Sequence, residues 1–210
     1  MPFNNSTRLA FIALLIALLG GCNSTQMRRA EPLQVELPQA QPQQRQFSVE
    51  IQQRYQQAIA LLRQDQVEPA ALALEALLTQ EPDIPGAWYN LALIQYHQKQ
   101  PEQALQSLQR CLDLSPRNPG AHTLNGLILR QQGQFSQARI AYAKALQSDP
   151  NFADAHLNLA ILYDIYLQYF EDAQVHYQRY LELAGEGTQS EQVKFWLQDL
   201  QLRMAQGGNG

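Results

Sequence analysis

Residues 85–118 read PGAWYNLALIQYHQKQPEQALQSLQRCLDLSPRN, and this 34-residue stretch governs how the rest of the chain is read. Pro116 recurs 34 residues away on either side, as Pro82 and Pro150, and Ala104 recurs as Ala70 and Ala138. Leu108 lines up with Leu74 and Tyr142, Cys111 with Leu77 and Ala145, and Ala92 with Ala58, Gly126 and Ala160. Parallel columns at one period identify a repeat array before any single element is assigned. Small residues at positions 8 and 20 of the unit let two antiparallel helices approach closely. Large residues at 4, 7, 11 and 24 fill the space between units, and the proline at 32 stops the second helix.

These columns resemble the tetratricopeptide repeat, most fully in Ala87-Trp88-Tyr89-Asn90-Leu91-Ala92 and Leu114-Ser115-Pro116. The resemblance implies an all-α solenoid of about four helix-turn-helix repeats within residues 47–187, bounded at 51–84, 85–118, 119–152 and 153–187. Some positions depart from the pattern: Arg54 and Gln57 in the first unit, Gln95 in the second, His122 and Asn125 in the third. The fourth unit carries one extra residue, so Ala173 rather than Asp172 fills the small-residue column, and Gly185 stands where proline ends the other units. Atypical ends suit a short array with specialised termini.

Beyond Gly187, Thr188 and Glu191 have the spacing of a capping box, and Val193, Trp196, Leu197, Leu200 and Met204 recur at helical spacing. A capping helix is therefore predicted over 188–206, with Lys194, Asp199 and Arg203 outside its apolar face. Residues 207–210 read as a disordered tail.

At the other end, Arg8 precedes an unbroken apolar run from Leu9 to Leu19. The run is too short for a bilayer span, which takes about 20 residues, and has the length of a secretory signal core. Leu19-Gly20-Gly21-Cys22 resembles the bacterial lipobox, which implies a signal peptide at 1–21 and acylation of Cys22 by fatty acids such as palmitate. Two or more acyl chains make a stable anchor. Asn23 after the cysteine resembles the sorting signal for the outer membrane, so the implied location is the bacterial cell envelope, lipid-anchored and facing the periplasm. Residues 22–46 hold Pro32, Pro38, Pro42 and many glutamines without apolar periodicity, and read as the acylated end and a flexible linker.

Chemistry-bearing patterns are few. A net charge of −4 argues against nucleic acid, and two cysteines, Cys22 and Cys111, make neither a disulfide framework nor a zinc cluster. Cys111 occupies a small-residue column and reads as a buried thiol. His122 and His156 both fall at position 4, a packing position. Phosphate loops, nucleophile elbows and HExxH helices are absent from the sequence, so neither an enzyme nor a cofactor or metal is expected. The acidic surplus of the fourth unit, Asp154, Asp164, Glu171, Asp172, Glu182 and Glu186 against Arg179, reads first as a solvated face and second as the mark of a basic partner.

In tetratricopeptide arrays the first helices line a concave groove. Carried over by position, the groove holds Tyr55 and Ile59, then Tyr89, Leu93 and Tyr96, then Leu127 and Arg130, then Leu157 and Ile161. Asn90 and Asn158 fall where the family often uses an amide to bond a peptide backbone. The family's carboxylate clamp needs Lys and Asn where this chain has Tyr89 and Leu93, so capture of a chain end is not implied. An apolar row suits an apolar segment of a partner protein or peptide, or cover by this chain or a second copy in a homo-oligomer.

The combination resembles envelope lipoproteins that act as assembly adaptors, such as the pilotins of type IV pilus secretins. It implies a non-enzymatic membrane-anchored scaffold that assists an envelope machine of pilus or secretion type. The alternatives are an adaptor for an envelope protease or peptidoglycan enzyme, and a metal protein using His97, His122 and His156. Cys22→Ser is expected to abolish incorporation of radiolabelled palmitate and to move the protein from the membrane to the soluble fraction.

Overall fold

The computed structural model describes residues 47–207. The apolar run, Cys22, the linker to residue 46 and the last three residues of the tail lie outside the described residues. Four helical hairpins follow one another: α1 (Val49–Arg63) with α2 (Val67–Gln80), α3 (Pro85–His97) with α4 (Pro101–Leu114), α5 (Pro119–Gln131) with α6 (Phe135–Ser148), and α7 (Ala153–Ile161) with α8 (Phe170–Ala184). A last helix, α9 (Thr188–Gly207), packs on α8.

Local chemistry sets the helix ends. Pro85, Pro101 and Pro119 occupy first-turn positions, where a missing N–H costs nothing. Inside the first three hairpins the chain reverses through one left-handed residue at equivalent places, Asp65, Lys99 and Gly133. The next backbone N–H then reaches back five residues, Gln66 to Leu61, Gln100 to Gln95 and Gln134 to Leu129, each at 2.9 Å. This is the Schellman closure, which satisfies carbonyls left over at the helix end.

The fourth hairpin turns differently. Beyond Ile161 the helix widens into a π-helix over Leu162–Leu167, and Gln168 takes the left-handed conformation. The closing bond, Tyr169 N–H to the Tyr163 carbonyl at 2.9 Å, spans six residues instead of five. The extra residue of this unit is absorbed here, as π segments absorb insertions generally. Ala173 then occupies the small-residue column with no exposed surface.

Close helix approach holds each hairpin together. Ala58, Ala70, Ala92, Ala104, Ala138 and Ala160 are all fully buried. At Gly126 the column loses even its methyl group, and the ring of Tyr142 takes the space: a Cβ on Gly126 would lie 2.6 Å from Tyr142 Cε1. Gln95, polar where a large apolar residue is usual, accepts a hydrogen bond from the Ser107 hydroxyl at 2.7 Å on the facing helix.

Hairpins are joined by a second recurring contact. Trp88 Nε1 donates to the Pro82 carbonyl at 2.7 Å, and Nε2 of His122 and His156 face the Pro116 and Pro150 carbonyls at 2.8 and 3.1 Å. A carbonyl can only accept, so both histidines carry the Nε2 proton. Histidine can replace tryptophan at position 4 because each ring presents an N–H to the carbonyl ending the preceding unit.

Along α9, Val193 and Leu200 are fully buried and Trp196, Leu197 and Met204 pack beside them. The capping box does not form: Ser190 donates to the Gly185 carbonyl at 2.7 Å, and Glu191 pairs with Lys194 at 2.7 Å. Arg203 also departs from the expected solvated side. It turns inward to Asp164 at 2.7 Å, and Asp164, counted above with a solvated acidic face, is only 4% exposed.

Gly126→Ala is expected to destabilise the chain by about 1–3 kcal/mol through overpacking. Adding Tyr142→Leu, the residue type found in this column in the first two units, is expected to recover most of that loss in thermal melts.

Candidate functional site: the face of the first helices

The first helices α3, α5 and α7 touch in succession. On the opposite side α4 and α6 are splayed around a cleft of about 730 Å³, lined by Gln109, Arg117, Gln137 and Lys144 among others. Contact on one side and divergence on the other curve the stack, and the first helices form its inner face.

On that face the rings of Tyr55 and Tyr89 act as joints between units. A Cβ on Gly86 would lie 2.7 Å from the Tyr55 hydroxyl, and one on Gly120 would lie 2.8 Å from that of Tyr89. Each tyrosine therefore uses the bare backbone that opens the next first helix. Burial raises the pKa of both phenols; the hydrogen bond from Asn90 opposes this at Tyr55, and the Asp154 carboxylate adds to it at Tyr89.

The two asparagines differ in what they can still bond. Both Nδ2 hydrogens of Asn90 are engaged, with the Tyr55 hydroxyl at 3.0 Å and the Gly86 carbonyl at 2.7 Å, leaving only its side-chain carbonyl to meet a ligand N–H. Asn158 bonds the Asp154 carbonyl at 2.8 Å and keeps a second N–H.

Ile59, Leu93, Tyr96, Leu127, Arg130 and Ile161 are half-buried, and Ile165 is exposed. Tyr96 accepts from Gln131 on the neighbouring first helix at 2.6 Å. Leu157 departs from its groove assignment. At 5% exposure it belongs to the core that also contains Tyr177 and Val193, because α9 closes over the last unit. Beside Ile161 and Ile165 a pocket of about 280 Å³ opens toward α9, with Trp196 as an apolar wall and the Asp164–Arg203 pair at its polar end.

Sequence reasoning passed over His176. Its Nδ1 lies 2.8 Å from Nδ1 of His156. Since His156 carries its proton on Nε2, His176 is the donor in this pair. A neutral acceptor facing a donor is a structural hydrogen bond, and among the described residues no three His, Cys, Asp or Glu side chains come together as metal ligands would. Cys111 is fully buried, and burial pushes its thiol up to about 11, which leaves little thiolate at neutral pH.

Two family models match the chain, one described as tetratricopeptide repeat over residues 55–119 and one as TPR repeat over 126–164. No curated protein matches it. Among solved structures it is similar to Pseudomonas aeruginosa PilF, at 19% identity and a TM-score of 0.64 over 74% of this chain and 69% of that one. It is similar also to MamA of Desulfovibrio magneticus RS-1, at 24% identity and a TM-score of 0.56 over 64% of this chain and 75% of that one. A third is the first TPR of Spaghetti (RPAP3), bound to an HSP90 peptide, at 18% identity and a TM-score of 0.53 over 58% of this chain and 93% of that one. The likeness is one of fold: the described residues form an all-helical tetratricopeptide solenoid.

The histidine pair yields a pH dependence. Burial, reinforced by the His156 ring and opposed by Asp172, lowers His176 from 6.5 to about 4. The unfolded chain takes up this proton below about 6.5 and the folded chain only near 4, so its contribution is full above 6.5 and is lost as pH falls toward 4. With the ring's partial access to water, the loss is expected to be about 1–2 kcal/mol. Melting curves from pH 7 to pH 4 should show that share of the decline in the wild type and lack it in His176→Gln.

Proposed function

We propose that this chain is a non-catalytic, membrane-anchored scaffold whose inner groove takes an apolar segment of a partner protein. In doing so it assists the assembly of an envelope machine of the pilus or secretion type. The observation that carries the reading is the partly exposed apolar row on the first helices, Leu93, Tyr96, Leu127, Ile161 and Ile165, which no described residue covers completely. Side chains of this kind, held on rigid helices and ending in a pocket beside Trp196, suit hydrophobic anchors of a helix or extended segment.

Two further observations support the reading. In Spaghetti the same architecture holds an HSP90 peptide. The lipobox Leu19–Cys22 and the polar residues after it would place such a groove near a membrane surface on a tether. Likeness of fold to PilF favours the pilus setting among envelope machines.

Leu93→Glu with Leu127→Glu is expected to leave a cooperatively melting helical protein, since both positions are half-buried, and to abolish partner capture. A carboxylate buried without a partner in a dry contact costs several kcal/mol. In-membrane crosslinking with mass spectrometry compares the double variant with the wild type. Partners recovered only with the wild type support the groove; the same partners from both would move the function to another face.

A further inference from the structure

We infer that the pocket at the fourth-unit end of the groove takes a tryptophan or tyrosine side chain of the bound segment, its ring against Trp196 and its N–H or O–H donating to Asp164. The inference rests on the groove reading above and specifies the chemistry of the partner's anchor residue.

The pocket exists because the packing changes at the last unit. The first helices α3, α5 and α7 stack directly on one another, whereas α9 packs chiefly on α8. The space this leaves between α7 and α9 measures about 280 Å³ and opens to solvent past the exposed side chain of Ile165. A cavity of about 150 Å³ with apolar walls already holds benzene, so a phenol or an indole has room here.

The walls select an aromatic occupant. Ile161 and Ile165 supply aliphatic surface, and the rings of Tyr177 and Trp196 stand side by side with centroids 6.2 Å apart. A ring entering beside them gains aromatic contact beyond the area it buries. Arg203 also lines the pocket and offers a cation to the face of such a ring.

The polar end selects a donor. Asp164 lines the pocket and is almost completely buried. Among the described residues each of its oxygens accepts one bond: Oδ1 from Arg203 at 2.7 Å, and Oδ2 from the Tyr177 hydroxyl at 3.3 Å, which is long for an O–H donor. A carboxylate has about four acceptor sites, and a buried one gains most from filling those still open. Charged side chains fit less well. Arg203 already bridges Asp164 and Asp199, at 2.7 and 2.9 Å, so a second cation would meet the guanidinium and an anion would meet two carboxylates. A neutral N–H or O–H at the edge of a ring meets neither obstacle.

The test selects displayed random dodecapeptides on the full chain, then measures the strongest peptide in synthetic form. The wild type is expected to enrich apolar peptides with one Trp or Tyr at a fixed place. Replacing that residue by Ala should weaken binding about thirtyfold. Removing only its donor, with ring-N-methylated tryptophan or with phenylalanine for tyrosine, should weaken binding about tenfold. The chain has two tryptophans, so incorporated fluorotryptophan gives two fluorine NMR signals. The peptide should shift the signal of Trp196 and leave that of Trp88, which borders the second helices α2 and α4.

Enriched peptides without a fixed Trp or Tyr, or an unmoved Trp196 signal, would overturn the inference and leave the groove reading standing. Equal binding of the donor-bearing and donor-free peptides would also overturn it, since the pocket would then read only apolar surface. If Leu93→Glu/Leu127→Glu retains the same peptides, or if the wild type enriches none, the groove reading itself falls and the inference with it.

Discussion

Ala92 on α3 and Ala104 on α4 share one core with no exposed surface, and a larger side chain at either would push the two helices apart. The same closeness recurs in every hairpin, and its limiting case is Gly126, where the Tyr142 ring occupies the space a methyl group would need. Tight hairpins make each unit a rigid block, so the geometry of the stack is decided at the joints between blocks. At those joints α3, α5 and α7 meet while α4 and α6 diverge, and the groove is the inner side of that curvature.

The joints are partly polar. Trp88, His122 and His156 each reach the carbonyl of the proline that ends the preceding unit, and Tyr55 and Tyr89 each lie over a glycine that opens the next first helix. A ring that must meet a carbonyl or a bare backbone has little freedom left. Side chains between the joints, Leu93, Leu127 and Arg130 among them, are therefore held on a stiff frame with part of their surface open. A preorganised groove of this kind loses less conformational entropy when it takes a ligand.

The period of 34 made the helical pairing legible, because position within the unit determines which residues must be small. The extra residue in the fourth unit was legible as a count, but its absorption into a π-helix at Leu162–Leu167 was not. A frame shift says that something must give, and only the packed structure decides where. Polar contacts across elements were the least legible. His176 pairs with His156 over 20 residues, and Arg203 reaches Asp164 over 39, and neither distance belongs to the repeat. For the same reason Asp164 and Arg203 read as solvated, and Leu157 as open, until α9 was seen to close the end of the array. Position alone marked Asn90 as a ligand contact; its bonds to Tyr55 and Gly86 exist only once α1 and α3 are packed together.

The account depends on the apolar row of the first helices being open to a partner in the intact protein. Solvent paramagnetic relaxation of leucine methyl groups, measured on the full chain with a soluble gadolinium chelate, tests this most directly. Leu93 and Leu127 should be broadened well beyond buried Leu74, Leu108 and Leu200, and part of the way toward exposed Leu72 and Leu202. Leu93 and Leu127 protected to the level of the buried set would mean that the chain or a second copy already covers the groove, and would contradict the account.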